Sequence, residues 1–524
     1  MRGRLWAALF AAMALTLTAC VPSGEDSDAD EQGGQEPAAP SEELAAFYEQ
    51  SLTWEDCEGS LRCTHVEVPM DYSDPEGETL EIAMVASLPE DETEGTEDSD
   101  GSDGSDGDVE YLLTNPGGPG ESGYDLVAEM SDYVFSAPLQ EHYGIIGFDL
   151  RGVHRSAPVE CFTDEQMDDY REQTETVDEA EELADELEAA REAARQVGED
   201  CLERTGESLE FVDTESAARD MDVIRAALGQ ETLHYMGFSY GTHLGITYAE
   251  LFGDRVGRFV LDGMMDTSID GQQLSLAQAR GFDAAFEDFA QWCAGRESCP
   301  VEGEASDVVD AVQELFAQVA QEPVAMPSDR TLSVSVLVEG FILPMYDAQG
   351  WPLLEQALTA AVDEQDFTMF QAWADASAGR GPDGSYDWQN SMAFNAVMCL
   401  DFPASADDEQ IQDDLETMAQ EAPTFGPYFG HSGILCGEWP FEASGEPEEP
   451  QLDGVEEILF IGTSGDPATP VRWAEDMHQM VPESSLLVYE GEGHIAYAAG
   501  DECVEEIVHG YLLDGELFEG RTEC

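Results

Sequence analysis

The chain has 524 residues, 42% of them apolar, and sets 115 acidic groups against 19 basic ones for a net charge of −96. That apolar share supports a large core and excludes a wholly disordered chain. The charge repels phosphate backbones and anionic headgroups, so nucleic-acid binding is excluded as a role. Every basic residue is Arg; there is no Lys. The acid runs through the whole length instead of gathering in tails. Such a surface suits high salt, where dense carboxylates stay hydrated and their repulsion is screened. At roughly 150 residues per domain the length allows three to four units, or one large α/β domain with an insertion.

Residues 1–20 carry Arg2 and Arg4, an apolar run from Leu5 to Leu17, and then Thr18-Ala19-Cys20. A short basic region, a short apolar region and small residues at the end describe a secretory signal. The run is too short for an ordinary membrane span. A Cys directly after Leu-Thr-Ala resembles a bacterial lipobox, which implies cleavage before Cys20 and lipidation of its thiol. The expected location is the outer face of the cell membrane, lipid-anchored or partly released. Residues 21–45 are polar and acidic and read as a flexible tether.

Eleven cysteines less Cys20 leave ten, an even number in a chain that looks exported. Disulfides are expected rather than metal ligands or free thiols. Connectivity does not follow from sequence alone. Local pairs are the economical choice: Cys57–Cys63, Cys161–Cys201, Cys293–Cys299, Cys399–Cys436 and Cys503–Cys524. There is no Cys-x-x-Cys pair, so zinc-ribbon and thioredoxin-like readings have no support.

Alternating runs at Thr64–Val68 and Leu80–Val85 predict the first strands. The acidic stretch 91–108 lacks the ordered spacing of a calcium loop and reads as solvated loop. Short apolar runs then alternate with Gly-rich turns and helical stretches. The runs are Val109–Thr114, Gly144–Asp149, Thr232–Met236, Arg258–Asp262, Ile458–Ile461 and Leu486–Tyr489. Apolar strands alternating with helices predict an α/β fold: a mostly parallel sheet covered on both faces, with ligand sites at the carboxyl ends of its strands. Residues 163–197 read as a charged surface helix or hairpin that Cys161 and Cys201 could close off. Residues 266–445 lose the strand–turn–helix texture and carry helical runs such as 277–295 and 353–376. The expected layout is a core over 46–265, a mainly helical lid over 266–445, and the rest of the core over 446–524.

The strongest chemical signal is Gly237-Phe238-Ser239-Tyr240-Gly241, between a strand and a helix-compatible run. This is the setting of a nucleophile elbow: the glycines allow a tight turn, and the turn lifts the Ser239 hydroxyl above the sheet. A serine hydroxyl is a weak nucleophile and needs a base. In α/β-hydrolases the order along the chain is Ser, then Asp or Glu, then His. Asp466 follows the Ile458–Ile461 strand and His494 follows the Leu486–Tyr489 strand. They are the expected acid and base, with His494 accepting the Ser239 proton and Asp466 fixing the imidazole. The rivals are weaker. His154, His234 and His243 read as structural or lining; Asp262, also at a strand end, is a minor candidate for the acid; Glu492 belongs to the His494 loop. For the oxyanion, the N–H of Tyr240 is one donor, and Gly118 in the Asn115-Pro116-Gly117-Gly118-Pro119-Gly120 turn is the other. No P-loop or G-x-G-x-x-G fingerprint occurs, and no metal or organic cofactor is implied.

Taken together, Asn115–Gly120, Gly147–Ser156, Gly237–Thr242, Val260–Gly263, Gly465–Pro470 and Gly491–His494 resemble the secreted bacterial tripeptidyl aminopeptidases. These are α/β-hydrolases related to the prolyl aminopeptidases. The resemblance covers about residues 50–524 and is weakest in the lid. It implies a serine exopeptidase that releases short peptides, tripeptides in the first instance, from free N-termini. By position it makes Ser239, Asp466 and His494 the triad, with Gly118 and Tyr240 as oxyanion donors. Two residues depart from the pattern: Glu121 stands where a small residue is expected, and His154 where Gly is more usual. An aminopeptidase must also hold the substrate ammonium; Asp401 in the lid and Glu121 at the mouth are open candidates. The alternatives are a carboxylesterase or lipase using the same triad, since fold alone does not separate amide from ester, and a non-catalytic binding lipoprotein. The acidic surface predicts that thermal stability rises between low and molar salt; a melting temperature indifferent to salt would remove the high-salt reading.

Overall fold

In a computed structural model the described residues are 39–57, 59–89, 109–173, 183–327, 330–404, 407–429, 432–445 and 447–524. The signal segment with Cys20, most of the tether and the acidic stretch 91–108 lie outside them. The strands are β1 (Glu55–Asp56), β2 (Arg62–Pro69), β3 (Thr79–Ser87), β4 (Glu110–Asn115), β5 (Tyr143–Phe148), β6 (Leu233–Phe238) and β7 (Val256–Asp262). After a two-stranded hairpin, β8 (Val324–Ala325) with β9 (Thr331–Leu332), come β10 (Ile458–Gly465), β11 (Ser484–Glu492) and β12 (Arg521–Glu523). All but the hairpin form one ten-stranded sheet in the order β1-β2-β3-β5-β4-β6-β7-β10-β11-β12. The joints from β1 to β5 are antiparallel and those from β5 to β12 parallel.

Burial follows from this order. In β2, near the edge, Thr64, Val66 and Val68 are buried while His65 and Glu67 face solvent, as on a half-covered antiparallel strand. In β5 every residue is buried, because helices cover both faces of the parallel part. One face carries α1 (Gly123–Val134) and, at the end of the chain, α7 (Glu502–Asp514), through Val127, Val504 and Val508. The other carries α2 (Thr214–Ala227), α3 (Tyr240–Leu251) and α6 (Val471–Met480), through Met221, Leu244, Trp473 and Met477. Asp213 caps α2 and Asp501 caps α7, each accepting first-turn backbone N–H groups.

Between β7 and β10 the regular structure among the described residues is helical apart from the hairpin, from α4 (Gly271–Ala294) through α5 (Asn390–Asp401) to a helix at Ser432–Gly437. This region has a core of its own, in which Phe282, Phe286, Phe316, Phe341 and Phe425 pack edge-on and tilted. The helical run expected over 353–376 is broken. A helix at Trp351–Thr359 passes into a π-helical turn, Gln365 turns left-handed at φ 57°, and Asp366 accepts the Thr368 N–H to start the next helix. Among the described residues, no helix is long and apolar enough to cross a membrane. The sulfurs are bonded as Cys57–Cys63, Cys161–Cys201, Cys293–Cys299, Cys399–Cys436 and Cys503–Cys524. The fourth ties α5 to the Ser432–Gly437 helix, and the fifth ties α7 to β12.

Several of the few cations are spent inside. Arg151, fully buried, forms two 2.7 Å bonds to Asp220 and donates its remaining N–H groups to the carbonyls of Pro69, Met70 and Phe211. Arg171 reaches from the Asp164–Glu172 helix to Glu339 and Asp375 in the lid region, and Arg330 reaches back to Glu172. A guanidinium suits these tasks because it bonds bidentately and stays charged when buried. Replacing Arg151 by Met strands the Asp220 carboxylate in the core and is expected to cost about 3–5 kcal/mol in denaturant unfolding; adding Asp220→Leu should recover part of that loss.

Candidate active site

β6 ends at Phe238, and Ser239 takes φ 54°, ψ −122°, a conformation that side chains rarely adopt. The Ser239 N–H donates to the Asp262 carbonyl at 2.9 Å. The Ser239 carbonyl accepts the Thr242 N–H at 2.8 Å and the Thr242 hydroxyl at 2.6 Å. α3 starts at Tyr240, so its positive end lies at the serine. The Gly-rich loop after β4 lies against this elbow. Gly117, at φ 106°, has no room for a side chain: a Cβ there would stand 2.7 Å from the Phe238 carbonyl oxygen and 2.9 Å from Ser239 Cβ. Asn115 Oδ1 accepts the Gly117 N–H at 2.9 Å and fixes the loop. Gly118 and Tyr240, expected to supply the two oxyanion donors, therefore sit on the two segments that meet at Ser239.

Asp466 follows β10 and is 5% exposed. Its Oδ1 accepts the N–H groups of Ala468 (2.8 Å) and Thr469 (2.9 Å), and its Oδ2 accepts the Thr469 hydroxyl at 2.8 Å. His494 follows β11, with Nδ1 at 2.8 Å from Asp466 Oδ2 and 3.0 Å from Oδ1. Nδ1 facing a carboxylate carries the proton, which leaves the Nε2 lone pair as the base. Burial alone would lower the imidazole pKa. The charge and hydrogen bond of Asp466, helped by the charge of Asp262, outweigh it and set the pKa above its usual value. The helical insertion packs over this ring. The Tyr346 carbonyl accepts the His494 N–H at 2.8 Å, and the two rings pack edge-on at 5.5 Å.

The rival residues have other tasks. Asp262 is fully buried and does not hydrogen-bond the imidazole; its carboxylate accepts the N–H groups of Ala496 (3.1 Å) and Tyr497 (2.8 Å), just past His494. Burial pushes its pKa up to about 6 against those two bonds. His234 Nδ1 accepts the Arg258 N–H at 3.0 Å. His243 lies between Tyr240 and Phe402, and burial lowers its pKa to about 4. His154 stacks on Trp388 and faces Asp125 Oδ2 at 3.2 Å and Asn390 Oδ1 at 2.9 Å.

Asp401, an open candidate for holding an ammonium, is engaged with the elbow. It is buried, and its two oxygens accept the Thr214 N–H (2.9 Å) and hydroxyl (2.5 Å). Thr214 in turn bonds the Tyr240 hydroxyl. Asp401 thus braces the elbow through Thr214; burial pushes its pKa up to about 7. Sequence reasoning gave Thr469 and Tyr346 no role. Thr469 had a faint signal, a hydroxyl residue three positions after Asp466, as in side-chain-closed turns; Tyr346 had none.

Residues 422–524 match a family model described as TAP-like protein. Over nearly the whole chain the sequence is 31% identical to serine protease Hip1 of Mycobacterium tuberculosis, covering 99% of this chain and 97% of that protein. It is 32% identical to carboxylesterase B of the same species, covering 94% and 92%. It is 29% identical to tripeptidyl aminopeptidase of Streptomyces lividans, covering 90% and 86%. With a strained serine at the elbow, a paired Asp and His at the neighbouring strand ends and relatives aligned from end to end, the chain is a serine hydrolase and belongs to the TAP-like family of α/β-hydrolases.

Proposed function

We propose that the protein is an extracytoplasmic serine exopeptidase that releases short peptides, tripeptides in the first instance, from free N-termini. The observation that carries the chemistry is the His494 Nδ1 bond to Asp466 beneath the Tyr346 roof, beside a serine presented by a strained turn. Ser239 Oγ attacks the scissile carbonyl as His494 Nε2 takes its proton. The tetrahedral oxyanion is met by the N–H groups of Gly118 and Tyr240. His494 then protonates the departing amine, leaving an acyl-enzyme on Ser239, and water attacks that ester by the reverse proton route.

The exopeptidase reading is supported by the relative named tripeptidyl aminopeptidase and by the helical insertion, whose Tyr346 packs on His494. Five disulfides favour an oxidising compartment. With the signal-like residues 1–20, they support an exported protein anchored through a lipid on Cys20. Carboxylesterase is the second reading, favoured by the relative of that name at similar identity.

In molar salt, chromogenic tripeptidyl amides with a free amine should be cleaved fast, N-blocked ones slowly, and Ser239→Ala should abolish both. Cleavage of short-chain esters with no amide cleavage would move the protein to the esterase reading. Replacing Asp466 by Asn should lower kcat by about 10⁴-fold, because the imidazole loses both its tautomer and its counter-charge. The pH profile checks the same pair. His494 must be neutral to accept a proton, so kcat/KM should rise with pH through its raised pKa, with the acid limb above the usual value near 6.5. In Asp466→Asn the residual activity should show that limb at lower pH; an unmoved limb would separate it from the Asp466–His494 pair.

A further inference from the structure

We propose that Glu121 is the group that binds the substrate's α-ammonium, an assignment that rests on the exopeptidase reading. Glu121 closes the Gly-rich loop whose Gly117 lies on Ser239, and its backbone N and Cγ crowd Gly118, at 3.0 and 3.4 Å from where a Cβ would be. The lid helix α5 begins directly above. The Asn390 carbonyl approaches Gly120 so closely that a Cβ there would be 2.6 Å away. The Asn390 side chain hydrogen-bonds the Glu121 carboxylate, while Asn390 Oδ1 accepts from His154 Nε2 at 2.9 Å. Asn390 therefore turns its amide nitrogen to Glu121 and is held there by His154, which is itself fixed by Asp125 and Trp388.

The result is an oriented carboxylate whose basic neighbour, His154, already faces Asp125. Its hydrogen bond comes from a neutral amide, whereas the neighbouring acids are committed. Asp125 and Asp149 pair with Arg155, Asp401 holds Thr214, and Asp262 and Asp466 hold the His494 loop and ring. Glu121 is open to solvent yet flanked by protein, and partial burial pushes its pKa upward. In such a recess a cation is attracted more strongly than at an open surface. The recess belongs to the catalytic cleft: Glu121 and Asp466 both act on Tyr346, whose pKa is pushed up to about 12 by burial and by these two charges, and Tyr346 roofs His494. A free N-terminus can put its ammonium on Glu121 while its chain runs along the Gly-rich loop to Ser239. An acylated N-terminus brings no charge and leaves the carboxylate partly desolvated and unpaired.

The test is the ratio of kcat/KM for a free-amine tripeptidyl p-nitroanilide to that for its N-acetyl counterpart, in the full-chain protein and in Glu121→Gln. The ratio does not depend on the fraction of active protein. It is expected to fall about 10- to 100-fold in Glu121→Gln, mainly through KM, and to recover in part in Glu121→Asp. An unchanged ratio in Glu121→Gln overturns the assignment. If Glu121→Gln turns over neither substrate, calorimetry of the free and acetylated tripeptides on Ser239→Ala, with and without Glu121→Gln, reads the same preference as binding. If the unsubstituted protein shows no free-amine preference, the exopeptidase reading fails first and the assignment falls with it.

Discussion

Asp262 joins the serine elbow to the histidine loop. It ends β7, in register with Phe238 of β6 on one side and Ile461 of β10 on the other. Its main-chain carbonyl takes the Ser239 N–H, and its carboxylate takes the N–H groups of Ala496 and Tyr497. The serine elbow and the histidine loop, far apart along the chain, are thus hung from one residue. Backbone strain like that at Ser239 costs of order 1–3 kcal/mol and persists only where surrounding bonds over-determine it. Here the Asp262 carbonyl fixes the elbow from below and Thr242 fixes it from the side. A buried carboxylate is itself costly, and its two backbone donors offset that cost. Asp262 therefore fixes the serine elbow through its carbonyl and the His494 loop through its carboxylate.

The lid is part of this arrangement, since α5 touches both segments expected to carry oxyanion donors. At its start Asn390 presses on Gly120 and bonds Glu121; at its end Asp401 holds Thr214, which bonds the Tyr240 hydroxyl. The Cys399–Cys436 disulfide pins this helix near its end. A change in the tilt of α5 would reach the Gly-rich loop and the elbow together. α5 itself packs into the main core through Met392, Ala396 and Leu400, apart from the aromatic cluster of the insertion.

The sequence carried the chemistry at short range and hid what depends on strand order. Ser239, Asp466 and His494 stood out because a nucleophile elbow needs its glycines and because each partner follows an apolar strand. The local cysteine pairs are those the structure has, since a pair six residues apart, such as Cys57–Cys63, has few other partners within reach. Asp262 was legible only as a rival acid. Its role follows from β7 lying between β6 and β10, and no local pattern encodes that placement. Tyr346 and Asn390 belong to the insertion, where helix packing and not a motif decides what faces the cleft. The break near Gln365 falls in the polar run Asp363-Glu364-Gln365-Asp366, where the apolar spacing lapses and the backbone turns left-handed. His154 read as lining because its partner Asn390 is supplied by the lid.

The charge of the chain and the local electrostatics of the site meet in the distribution of arginines. With 19 cations for 115 acids, each buried guanidinium that satisfies an internal carboxylate leaves the surface more negative. Arg151, Arg171 and Arg330 are all spent in this way. At low salt the remaining field would reach the cleft from many distant carboxylates and hold an imidazole in its charged, inactive form. At molar salt the screening length shrinks to about 3 Å, so remote acids drop out while contact pairs shielded from solvent persist. The pairs that matter here are of that kind: Asp466 on His494 at 2.8 Å, and the Asp262 carboxylate on the loop beside it. A carboxylate–imidazole pair built from buried contacts can thus keep its protonation chemistry inside a shell of charge that would otherwise override it. The same screening confines an exposed recess such as that of Glu121 to recognition at contact distance, so an ammonium is selected by fit to that recess and not by the general field of the protein.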